Sequence, residues 1–160
     1  FDQFRFSNHV IERLQAVDAE YILGNHEEML LSPAGARAAE SKEVDKELLE
    51  WTRNRDYRFE MLTDGKRLKM FHSTPWDPRG EYIYPHSGAL KKFAEAGTDY
   101  AIYGHTHTQL ARNINGTLVI NPGSAGHARS HVNNQQLSCA ILDTETDEVI
   151  FDDFYDPSIP

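Results

Sequence analysis

Three things are scarce in this sequence. It has one cysteine, Cys139, so no internal disulfide can form. That residue's place in the apolar run 137–142 reads as a buried structural thiol. There is no apolar run near the roughly 20 residues that cross a bilayer, which sets a membrane role aside. Positive charge is the third scarcity: 16 Lys and Arg stand against 25 Asp and Glu, for a net charge of −9. So acidic a surface repels phosphate backbones, whose neutralisation supplies most non-specific nucleic-acid affinity, and no long nucleic acid is expected as a partner. A small phosphorylated molecule stays open, because a bound cation can invert the local potential. No basic-then-apolar leader opens the chain, and a reducing, cytoplasmic setting is the expectation.

What is present suits a globular fold, with 39% apolar and 26% charged residues in a chain of 160, the size of one domain. Ser7 ahead of Val10, Ile11 and Leu14 reads as a capped helix. Residues 19–23 (Ala-Glu-Tyr-Ile-Leu) read as a short strand ending at Gly24. Residues 28–56 read as helical and interrupted at Pro33 and Gly35, with an amphipathic stripe of Val44, Leu48, Leu49, Trp51 and Thr52. A hairpin about Asp64-Gly65 follows, then a proline-rich loop over 73–85. Next come a helix over 88–96 with Leu90 and Phe93 inward and a strand over 100–103. A second hairpin turns at Asn115-Gly116, and a last strand pair covers 137–142 and 148–154. Helix and strand alternate early while hairpins dominate late, which points to an α/β arrangement of packed sheets with helices outside.

The eight histidines are unevenly placed. His26, His72 and the pair His105/His107 each follow an apolar, strand-like run and a turn, and α/β sites form at the carboxyl ends of strands. In His105-x-His107 an extended backbone is expected to aim both rings at one face. Two such imidazoles bind one metal ion or serve two neighbouring ions. Asn25 adds an amide oxygen, while His26 projects elsewhere. Taken singly, each has an ordinary reading as a hydrogen-bonded histidine or a turn residue. Three such sites in this order are hard to derive from packing alone. His127 and His131 read as solvated loop residues, and His9 and His86 as structural. Trp76, Tyr82 and Tyr84 read as rings packed onto the core, with stacking on a nucleobase as the alternative.

Gly24-Asn25-His26-Glu27, His72-Ser73-Thr74-Pro75 and Gly104-His105-Thr106-His107 together resemble the calcineurin-like metallophosphoesterase superfamily. Asn121-Pro122-Gly123-Ser124-Ala125-Gly126 with Arg129 beyond is similar to a closing motif of its small bacterial and archaeal phosphodiesterase branch. So is the loop Pro75-Trp76-Asp77-Pro78 with Glu81-Tyr82. The resemblance implies a four-layer αββα sandwich of mixed β-sheets with flanking helices. It also implies two divalent metal ions (Mn, Fe, Zn or Ni), with Asn25, His72 and His105 on one and His107 on the other. Asn25 is then also a substrate contact, His26 the general acid for the leaving oxygen, and Asp2 the carboxylate that orients His26. The planar fork of Arg129 suits a substrate phosphate, with a surface ion pair as the alternative. Two cations about 3.5–4 Å apart activate a water and offset the transition-state charge.

The family's opening Asp-x-His and Gly-Asp motifs have no counterpart in these residues. The expectation is therefore a single domain over 1–160 that is the C-terminal portion of a longer one, lacking the first strand or strands. As it stands it would hold one ion or none. The implied activity is hydrolysis of small or nucleotide-like phosphomonoesters or phosphodiesters. The rival reading is a catalytically incomplete scaffold or protein-binding module, and oligomeric state is left open.

Overall fold

A computed structural model describes residues 6–127 and 136–155. The chain divides into two compact units, Phe1–Phe59 and Glu60–Pro160. In the first unit, Ser7 caps α1 (Asn8–Ala16), its hydroxyl accepting from the Val10 amide at 3.4 Å. Ile11 is fully buried while Val10 is about half exposed, so the apolar stripe is narrower than its spacing suggests. Next come α2 (Asn25–Leu31), a 3₁₀ turn at Pro33–Gly35 and α3 (Ala36–Ala39). Pro33 opens that turn because proline lacks the amide that would continue α2. Asp45 caps α4 (Lys46–Arg53) by accepting from the Glu47 and Leu48 amides at 2.9 and 3.2 Å. Leu48, Leu49 and Thr52 of α4 are buried as the stripe predicts.

Residues 19–23 are not a strand. The Ala19 amide returns to the Leu14 carbonyl and the Leu23 amide donates to the Asp56 carbonyl, each at 2.9 Å. Isolated bonds of this kind do not make the repeating ladder that defines a strand.

The second unit carries the sheets. The strands are β1 (Arg58–Thr63), β2 (Lys66–Phe71), β3 (Tyr100–Tyr103), β4 (Leu110–Ile114) and β5 (Thr117–Asn121), ordered β1-β2-β3-β5-β4. β2, β3 and β5 run parallel, and β4 is antiparallel to β5. Both predicted turns occur, with left-handed φ at Asp64-Gly65 (+50° and +75°) and Asn115-Gly116 (+51° and +93°). The helical stretch Gly88–Ala96 is 3₁₀ rather than α. The inward pair Leu90 and Phe93 is spaced by three, which either helix satisfies. Phe71, Ile83, Leu90, Phe93, Tyr103 and Val119 form the core. The fold class is the expected one: α/β, with helices and a mixed sheet.

β6 (Gln136–Asp143) and β7 (Glu148–Tyr155) pair as a two-stranded sheet. Here the reading of Cys139 as buried is corrected, because its thiol is exposed. It stands opposite Asp152, on the face that also exposes Ile141 and Ile150. An apolar run does not tell which strand face is covered, and an antiparallel pair commonly leaves one face in water.

The β6–β7 turn is tied to the start of the larger sheet. Lys66 Nζ lies 2.6 Å from an Asp147 oxygen and donates to the Thr144 carbonyl at 2.9 Å, and the Tyr100 hydroxyl also donates to Asp147. The Lys66 hydrogen bond, then that of Tyr100, holds the Asp147 carboxyl below its ordinary range. A depressed carboxyl adds stability that is present above the usual Asp pKa of about 3.9 and lost as pH falls below it. Asp147→Asn should therefore lower Tm at pH 7. The gap to the parent should close below about pH 4 in a calorimetric pH series.

Candidate metal centre

Three adjacent parallel strands end at one edge of the sheet. Phe71 is level with Tyr103, and Ile102 with Ile120. The residues that follow are His72, Gly104-His105 and, at the end of β5, Asn121-Pro122. The Gly104 amide donates to the His72 carbonyl at 3.0 Å, carrying the ladder one step past the strands. His72 Nε2 faces His105 Nδ1 at 2.9 Å, with ring centroids 4.7 Å apart and planes at 66°. His105 is buried.

The extended His105-x-His107 backbone expected above is not what forms. His105 and His107 have φ of +62° and +53°, in the left-handed region. The Thr106 amide donates to the Gly104 carbonyl at 2.6 Å, closing a three-residue turn around His105. Such a backbone at a non-glycine costs about 1–3 kcal/mol and persists only where its surroundings hold it.

Asn121 is what holds it. This fully buried amide donates to the Gly104 carbonyl at 2.9 Å and to Thr106 Oγ1 at 3.0 Å, and it accepts from the Gly123 amide at 3.0 Å. One side chain thus ties the closing motif to the histidine turn. Gly123 has φ +84°, and a Cβ there would meet Ser138 Oγ at 2.0 Å, so only glycine fits. Asn121 was not singled out from sequence as a site residue. An amide at the end of a buried strand, ahead of Pro-Gly, was the available signal, since buried amides need partners.

His107 has a companion that sequence reasoning set aside. His127 Nδ1 faces His107 Nδ1 at 3.4 Å, with ring centroids 5.3 Å apart. His127 is exposed, but its ring meets another imidazole instead of only solvent. Its amide donates to Ser124 Oγ at 3.0 Å, which folds the loop back toward His107. Arg129, His131 and Asp2 lie outside the described residues.

The proline-rich loop covers the first imidazole pair. Ser73 and Thr74 are fully buried, the Ser73 hydroxyl donating to the Glu81 carbonyl and that of Thr74 to the Asp77 carbonyl. The Tyr103 hydroxyl fixes the far side by donating to the Ile83 carbonyl at 2.9 Å. This brings the Tyr82 ring to 3.9 Å from that of His105, centroid to centroid. Tyr82 is 56% exposed, so its reading as a core-packed ring is corrected. Trp76 meets the buried Phe93 edge to face at 5.3 Å but is itself 37% exposed, so it is only partly the core-packed ring expected.

In the first unit, Gly24 opens α2, and Asn25 and His26 occupy its first turn, both partly buried. The Glu27 carboxylate accepts from the Gly24 amide at 2.8 Å, half of a capping box, so Glu27 is a helix cap. Burial, and then the Glu27 charge, push the Tyr21 hydroxyl well above the ordinary tyrosine range.

A model of the calcineurin-like phosphoesterase superfamily domain matches residues 4–147. The chain belongs to that superfamily. Among solved structures, the chain is similar to a hypothetical protein of Pyrococcus horikoshii at TM-score 0.71 and 18% identity, covering 94% of this chain and 69% of that one. It is similar to a metallophosphoesterase of Sphaerobacter thermophilus at TM-score 0.68 and 20% identity, over 92% and 71% of the two chains. It also resembles an archaeal phosphodiesterase at TM-score 0.53 and 23% identity, over 92% and 77%. These likenesses show the fold. No curated protein matches the chain closely.

Phosphoesterases of this superfamily generally bind divalent metals. Among the described residues no group of three or more His, Cys, Asp or Glu gathers as a ready cage. The second unit offers imidazoles in two pairs instead. Two nitrogens each about 2.1 Å from one ion lie roughly 3.0 Å apart at right angles and roughly 3.4 Å apart at the tetrahedral angle. The facing nitrogens of His72 and His105 at 2.9 Å, and of His107 and His127 at 3.4 Å, match those two edges. The donor set fits a divalent transition metal.

Proposed function

We propose that this chain is part of a hydrolase of small phosphomonoesters or phosphodiesters that acts at a two-metal centre, with residues 1–160 contributing to a single domain. The observation that carries the proposal is the facing pair His72 and His105, 2.9 Å apart at the ends of adjacent parallel strands. Bound Mn, Fe, Zn or Ni ions would supply Lewis acidity and an activated water. His72 and His105 would hold one ion and His107 the other.

The chain's own groups do the remaining work. Asn121 keeps the His105 turn in its strained conformation, so the ring is oriented before substrate arrives. Tyr82 covers one face of His105 and limits water there. Asn25 as an oxygen ligand and substrate contact, and His26 as the acid that protonates the leaving oxygen, follow from the motif order. Imidazole is the usual side chain for proton transfer near neutral pH. Asp2 as the partner of His26 rests on the same resemblance, and Arg129 as a phosphate contact rests on its planar fork. The exposed free thiol of Cys139 suits a reducing, cytoplasmic setting.

The test is turnover of bis(4-nitrophenyl) phosphate and 4-nitrophenyl phosphate with added manganese. At least one substrate should be hydrolysed, and chelation should stop it. His26→Ala should lower kcat by about 10²–10⁴-fold with metal content unchanged. No metal-dependent turnover of either ester contradicts the proposal, and full activity in His26→Ala removes its acid.

A further inference from the structure

We propose that the second unit carries a docking cleft for the base of a small nucleotide phosphoester, beside the imidazole cluster. This rests on the phosphoesterase reading above and names its substrate class. A row of stacked rings leads out from the site. Tyr82 lies over His105 at 3.9 Å, Tyr84 stacks on Tyr82 at 6.2 Å and 22°, and His86 stacks on Tyr84 at 5.9 Å and 7°. The loop arranges this by period-two alternation: Ile83 is turned into the core at 1% exposure, which points its neighbours Tyr82 and Tyr84 the other way. Core packing accounts for Ile83, but it does not account for flat rings stacked on one another at the surface.

The row ends in a cleft of about 450 Å³ lined by Tyr84, Pro85, His86, Thr108 and Arg112. Thr108 is the residue after His107, so the cleft adjoins the second imidazole pair. Its volume falls within the range of small-molecule sites. Arg112 projects from β4 and donates from Nη1 to the Pro85 carbonyl at 2.9 Å, which fixes a planar cation at the wall. Near-parallel aromatic faces take any nucleobase by stacking. A fixed guanidinium offers paired donors to a base's ring nitrogen and carbonyl, or to a phosphate. The net charge of −9 weighs against a long polyanion here and for a single nucleotide.

The experiment compares binding of adenosine 5′-monophosphate with ribose 5-phosphate to the full chain by calorimetry, so that it is independent of turnover. The parent should bind the adenine compound about five- to a hundredfold more tightly. Tyr84→Leu and His86→Leu, which keep bulk but remove the ring, should bring that ratio close to one. Melting curves would show that both variants are folded, and each variant alone suffices for the comparison.

Equal affinities for the two compounds in the parent overturn the cleft. So does a ratio that survives both substitutions. A second arm compares kcat/KM for the 4-nitrophenyl esters of thymidine 5′-monophosphate and of methyl phosphate. Hydrolysis of both esters at equal efficiency, with equal affinities in the first arm, overturns the cleft and leaves the phosphoesterase reading standing. Hydrolysis of neither ester with the adenine preference intact overturns the catalytic reading and supports the cleft.

Discussion

His105→Asn should lower kcat/KM for a phosphodiester by about 10²–10³-fold and weaken manganese binding, while the thermal midpoint stays near the parent's. The loss corresponds to several kcal/mol of transition-state charge stabilisation that a metal ion provides. Asparagine is the informative replacement because His105 sits at φ +62°. Asn tolerates the left-handed region better than most residues, so the turn closed by the Thr106 amide should survive. The ring and its nitrogen are lost, and with them the 2.9 Å partnership with His72. Activity and metal affinity unchanged in a folded variant would remove His105 from the centre.

Asn121→Ala should be the most disruptive single change outside the histidines. The side chain is fully buried and makes three hydrogen bonds, to Gly104, Thr106 and Gly123. Its removal strands three buried polar partners at about 1–3 kcal/mol each, so a loss of at least about 3 kcal/mol, or roughly 6 °C or more in Tm, is expected. A second effect separates a positioning role from mere support. Manganese affinity should fall about 10–100-fold under conditions where the variant is still folded, as it does when the groups behind a ligand are lost. Asn121→Asp sharpens the test. It retains an oxygen for the Gly123 amide but sets a carboxylate against the Gly104 carbonyl, and it should lose metal affinity much as the alanine variant does. A destabilised protein with unaltered metal affinity would reduce Asn121 to a packing residue.

Much of this architecture is legible in the residues alone. Asp64-Gly65 and Asn115-Gly116 name their own turns because few other pairs accept left-handed φ at both positions. Ser7 names its helix start, and the motif order names the superfamily. What the pattern conceals is face and local backbone. Cys139 lies in an apolar run, yet a two-stranded sheet leaves its side of β6 in water. Residues 19–23 carry strand-like composition, but composition does not supply hydrogen-bond partners, and a strand needs a ladder. The left-handed histidines carry only a faint signal, since histidine is modestly enriched at such φ and the spacing x-His-x-His otherwise suggests extension.

The site's supporting groups were hidden for a related reason. Tyr82, Asn121 and His127 act through contacts far apart in sequence, across 23, 17 and 20 positions respectively. Periodicity reports neighbours on one element and is silent about such pairs. The histidines themselves were legible because each ends its own strand or opens its own turn. Their pairing was not. His72 with His105 depends on β2 lying beside β3, and His107 with His127 depends on the loop after β5 folding back.

The central claim is that His72 and His105 share one divalent ion, and anomalous diffraction at the zinc edge from crystals grown with zinc tests it most directly. The account predicts a peak about 2.0–2.1 Å from an imidazole nitrogen of each residue, with the two rings turned toward it. A density map in which those nitrogens are hydrogen-bonded to one another with zinc bound elsewhere would contradict it.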